Sequence, residues 1–151
     1  MNSRNIGFYI PIVSEEDINM NIFNSLNTAV QNGDVRDATV FFNDLAFNPV
    51  TPKFSMMNAS EIWSFTGNLL STSLDGSLLA MGIVNKFDLF HVYRADANND
   101  FFKLLMVSEK VKVVTMNDTD TKEFKRITGQ DPVIQFEDFS IKSILEGIKD
   151  E

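Results

Sequence analysis

Ile6-Gly7-Phe8-Tyr9-Ile10-Pro11-Ile12-Val13 is an almost unbroken apolar run that stops abruptly at Ser14-Glu15-Glu16-Asp17. The run reads as a buried first strand that passes straight into a helix. Ser14 stands in the N-cap position, with Asp17 three residues on where a capping box has Glu or Gln. Apolar residues then recur at Ile18, Ile22, Phe23, Leu26, Ala29 and Val30, one face of a helix, and Asn32-Gly33 stops it. A chain that opens this way is restricted to folds in which helices cover a sheet.

The same unit recurs along the chain. Ala38-Thr39-Val40-Phe41-Phe42 is apolar without alternation, as in a parallel strand covered on both faces. Residues 45–58 read as a long connection, because Pro49 and Pro52 disfavour regular helix. Its Phe47, Phe54, Met56 and Met57 are expected to anchor on the core. Asn58 caps a short helix closed by Gly67, with Ile62 and Trp63 facing inward. A third strand is predicted over 68–73, then a helix capped by Ser73 or Asp75 and running to Lys86, then a fourth strand over 88–94. A short helix over 101–107, a fifth strand over 111–116 and a helix capped by Asp118 and running to Thr128, ended by Gly129, come next. A sixth short strand over 133–136 and a last helix from about Phe139, burying Ile141, Ile144, Leu145 and Ile148, complete the pattern. This alternation predicts a single α/β domain over residues 1–151, a three-layer sandwich with a mainly parallel sheet of about six strands, Rossmann-like.

Composition narrows the function classes. The chain is 44% hydrophobic with fourteen Phe, which suffices for one real core. It has no cysteine, so disulfides, thiolate metal sites and cysteine nucleophiles are excluded. A net charge of −8 argues against general nucleic-acid binding, which needs a basic face. Apolar runs fall well short of the roughly 20 residues that a membrane span requires. The N-terminus does not read as a secretory signal. The expectation is a cytoplasmic protein with no membrane partner.

In an open parallel sheet, ligands bind beyond the carboxyl ends of the strands, where the strand order reverses. That rule nominates Asn43, Asp44, Thr72, Ser73, Tyr93, Arg94 and Asn117 as ligand-binding residues. Small polar residues there also serve as helix caps and turn formers, and Arg94 can equally pair with a neighbouring carboxylate. The first turn lacks the Gly-x-Gly-x-x-Gly that lets backbone approach a pyrophosphate, and it carries three carboxylates instead. Dinucleotide dehydrogenase and P-loop nucleotidase are therefore poor readings, and no motif calls for a cofactor. Asp96-Ala97-Asn98-Asn99-Asp100 opens like a calcium loop, but Phe101 and Val107 replace its Gly and its bidentate Glu, so it reads as a turn capping the next helix. His91, the only histidine, reads as a hydrogen-bonded core residue or one beside a polar pocket. No metal site is indicated.

The ladder of polar strand ends, closing on Ile127-Thr128-Gly129-Gln130-Asp131-Pro132-Val133-Ile134 and Phe136-Glu137-Asp138-Phe139, resembles one Rossmann-type half of a two-domain glycosyltransferase. It is similar to small phage-encoded glycosyltransferase-like proteins, and Phe42-Asn43-Asp44-Leu45-Ala46-Phe47-Asn48-Pro49 and Trp63-Ser64-Phe65-Thr66-Gly67 share in the likeness. The resemblance implies a sugar or nucleotide-like ligand and, for a phage protein, the host cytoplasm. It carries over no catalytic residue: a Glu-x(7)-Glu donor signature is absent, and a single half needs a homo-oligomer or a partner chain to complete a donor site. The leading expectation is a glycosyltransferase-like domain that binds and need not catalyse. The rival is an interaction protein docking through the Phe/Met-rich segment 47–57.

Overall fold

The structure, a computed structural model, describes residues 5–48, 50–83, 86–97, 99–136 and 140–149. Among them seven strands form one sheet: β1 (Asn5–Val13), β2 (Asp37–Leu45), β3 (Ser55–Asn58), β4 (Thr66–Ser71), β5 (Lys86–Val92), β6 (Lys112–Thr115) and β7 (Ile134–Gln135). Every pairing is parallel, and the spatial order is β3-β2-β1-β4-β5-β6-β7. The first strand is thus an interior one, pairing Phe8 with Val40 on one side and with Leu70 on the other. Four α-helices connect strands, α1 (Asp17–Asn32), α2 (Leu74–Met81), α3 (Phe101–Lys110) and α4 (Asp118–Thr128), and α5 (Ile141–Lys149) follows β7. The chain is an α/β sandwich with a parallel, Rossmann-like sheet.

The two-residue period of the strands builds two cores. Phe8, Ile10, Val40, Leu70, Phe90, Val92 and Val114 face α1 and α5, where they pack with Ile22, Phe23, Leu26, Ile141 and Ile144. Their alternates face the opposite way. Tyr9, Phe41, Leu69 and Phe87 pack with Ile62 and Ala80, while Val113 and Tyr93 pack with Leu104, Val107 and Phe124. Each fully buried Phe, Leu or Ile is worth about 1.5–3 kcal/mol relative to exposure. The strands carry apolar residues on both sides because both layers of helix need them.

Several local expectations are corrected. The connection over 45–58 contains an additional strand, β3, which pairs with β2 on one side only. Phe54 is buried against Phe23 and Met56 packs on the core, but Phe47 and Met57 are exposed. The helix after Asn58 is a 3-10 helix over Ala59–Ser64. It advances three residues per turn, so neighbours point about 120° apart. Ile62 is therefore fully buried while Trp63, expected inside, is 66% exposed.

Helix α1 begins after Glu16, and no side chain caps it. Ser14 instead accepts from the Asn19 amide at 3.0 Å. Ser73, not Asp75, caps α2, accepting from Gly76 N–H at 3.0 Å; that helix ends at Met81, short of Lys86. Asn117, not Asp118, caps α4, accepting from Asp120 N–H at 2.8 Å. Asp100 caps α3 as expected. Phe139, the expected start of the last helix, and Asn98 of the acidic turn lie outside the described residues.

Candidate functional site

The chain runs outward from β1 through β2 to β3, then returns to place β4 on the other side of β1. The helix after β1 covers one face and the helix after β4 the other, so their connections part. A cleft of about 1150 Å³ opens there, at the carboxyl ends of β1, β4, β5 and β6. This is the position at which open α/β sheets take ligands.

Four of the seven nominated residues line the cleft: Thr72, Ser73, Arg94 and Asn117. Thr72 is held by β1, its N–H and hydroxyl both donating to the Tyr9 carbonyl at 3.1 and 3.3 Å. Ser73 and Asn117 spend a side-chain oxygen on capping α2 and α4. The other three lie elsewhere. Tyr93 is fully buried under α3 and α4, its ring 5.3 Å from that of Phe124, and its hydroxyl has no partner among the described residues. Asn43 accepts a hydrogen bond from the Tyr9 hydroxyl at 2.7 Å, away from the cleft wall. Asp44 is exposed near the end of β2.

One further residue on the floor, His91, comes from β5, and Arg94 follows two residues past the end of that strand. His91 is 2% exposed, and its Nδ1 sits 2.7 Å from the Ser77 hydroxyl of α2. Burial, and next the positive charge of Arg94, lower its pKa from 6.5 to about 4, so the imidazole is neutral at physiological pH. His91 is among the residues that line the cleft. Arg94 is largely covered, its side chain 23% exposed. Its Nη1 stands a loose 3.8 Å from Asp96, and its Nε is buried with no partner among the described residues.

The walls are acidic. Glu15, Glu16 and Asp17 come from the β1–α1 turn, Asp75 from α2, Asp96 and Asp100 from the connection after β5, and Asp120 from α4. Against these seven carboxylates stand two cations, Arg94 and Lys103. Lys103 is bonded across the mouth to Asp75 at 2.7 Å, which holds its pKa above the ordinary lysine value. Asp120 uses one oxygen to accept from Ala95 N–H at 3.0 Å, fixing the chain just past Arg94. Reading strand ends finds the polar floor of such a site. It passes over the β1–α1 carboxylates as ligand contacts, although their count in one turn was the available signal.

Among the described residues no group of three or more His, Asp or Glu side chains is placed to hold a metal ion, and no helix is long and apolar enough to cross a membrane. In comparisons with known proteins, no family model, no curated protein and no solved structure matches the chain.

Proposed function

We propose that the chain is a glycosyltransferase-like binding domain that takes a sugar or nucleotide-like ligand in the cleft at the carboxyl ends of β1, β4, β5 and β6. The observation that carries the reading is the coincidence of the cleft with the reversal of strand order, floored by Arg94, whose Nε is buried and unpaired. A buried donor left unpaired costs about 1–3 kcal/mol, and because only a loose 3.8 Å contact with Asp96 holds the guanidinium, a ligand oxygen that draws it round would recover that cost. The role is binding. Two-domain transferases close a second domain over the donor, so transfer chemistry would need a partner chain or a second copy.

A thermal-shift screen against monosaccharides, nucleosides, nucleotides and nucleotide sugars tests the reading. A ligand at a hundred times its dissociation constant stabilises the fold by about 2.7 kcal/mol, or about 5–10 °C for a domain of this size. Arg94→Ala should abolish the shift. No shift with any member of the panel refutes the proposal.

Docking through residues 47–57 has less support, because Phe54 and Met56 are spent on the chain's own core. A tight oligomer burying Phe47 and Met57 would favour that reading instead.

A further inference from the structure

We infer, resting on the binding role proposed above, that the cleft selects an uncharged, hydroxyl-rich ligand, a free sugar or an unphosphorylated nucleoside, over its phosphate esters. The argument is one of donor and acceptor inventory. The cleft holds acceptors in excess, since the Glu15, Glu16 and Asp17 carboxylates gather in the first connection. It also holds donors that are not fully spent: the Arg94 guanidinium, which only a loose 3.8 Å contact with Asp96 holds, and the first-turn amides of α1, which no side chain caps.

A hydroxyl group both donates and accepts, so a polyol can satisfy carboxylates and amides together. A phosphate ester satisfies only the donors. It brings charge of the same sign toward carboxylates at a site where a dinucleotide fold would instead supply glycines. Neutral His91 does not offset this penalty, and Lys103 is already engaged by Asp75.

Calorimetric titration of the full chain with glucose, glucose 6-phosphate, uridine and uridine monophosphate at low salt decides the matter. The expected result is binding of glucose or uridine at least about tenfold tighter than that of its phosphate ester, the scale of one like-charge contact near a protein surface. In Glu15→Gln/Asp17→Asn the gap to the phosphate ester should narrow. Equal or tighter binding of a phosphate ester overturns the selectivity and leaves the cleft as a binding site. Failure of all four to bind overturns the selectivity and counts against the cleft as well.

Discussion

Replacing His91 by Gln should flatten the acid side of the protein's stability profile. The imidazole is buried and neutral in the fold, with a pKa lowered to about 4, but is free to titrate near 6.5 once unfolded. As the pH falls below 6.5 the unfolded chain takes up a proton that the folded chain refuses, so stability drains toward the unfolded state. The contribution is complete above pH 6.5 and is lost as the pH falls toward 4. Each pH unit in that window is worth up to about 1.4 kcal/mol, so the loss attributable to His91 is about 2 kcal/mol at pH 5 and about 3 kcal/mol near pH 4.

For a domain of this size, 2 kcal/mol corresponds to roughly 4–8 °C in Tm. Gln keeps a polar group opposite the Ser77 hydroxyl but cannot take up a proton at these pH values. Urea unfolding of both proteins between pH 7.5 and 4.5 gives the difference, with carboxylate titration common to the two and cancelling. Circular dichroism is the better probe, since the single Trp, Trp63, is exposed in the fold. An NMR titration of the one histidine is unambiguous as a second measurement. Parallel pH profiles for the two proteins, or an imidazole titrating near 6.5, would falsify the placement of His91.

Two further predictions concern stability alone. Gly67 has φ +132, and a Cβ there would lie 2.7 Å from Asn5 Cβ and 2.8 Å from Asn5 O, so Gly67→Ala should cost well over the ~1 kcal/mol expected of Gly33→Ala, where φ is +75 but nothing lies within 4 Å. Equal losses in chemical denaturation would contradict the close approach of β4 to β1. Tyr93→Phe removes a buried hydroxyl with no partner among the described residues, so it should be neutral or stabilising by up to about 1 kcal/mol, with ligand binding unchanged. A loss of 2 kcal/mol or more would mean that the hydroxyl has a partner.

The layered fold was legible because its signal is repeated and local. β1, β2 and β5 carry apolar residues on both faces, and Gly33 and Gly129 close α1 and α4 at positive φ as their positions suggested. What was not legible depends on context. Ser55–Asn58 pairs on one edge only and follows two prolines, so its four residues carry no strand pattern of their own. Trp63 was misplaced because successive residues point about 100–120° apart in either kind of helix, so Ile62 and Trp63 cannot both face the core, and residue type does not say which of the two does.

At the cleft, end-of-strand logic located Arg94 and Asn117. It also carried Tyr93 along, one residue beyond the end of β5, where the side chain turns under α3 and α4 and not toward the opening. Asn43 and Asp44 failed to join because β2 lies one strand away from the reversal. The strand order that decides this is set by long-range pairing, which a local pattern does not contain.

The interior place of β1 has a consequence for biosynthesis. The segment leaves the ribosome ahead of both strands that flank it, and Ile6 meets its second neighbour only at Asn68, sixty-two residues downstream. At roughly 5–20 residues per second of translation, the greasiest part of the nascent chain waits about 3–12 seconds with one flank bare. Conditions that slow elongation over that interval should lower soluble yield far more than the same delay imposed after residue 71.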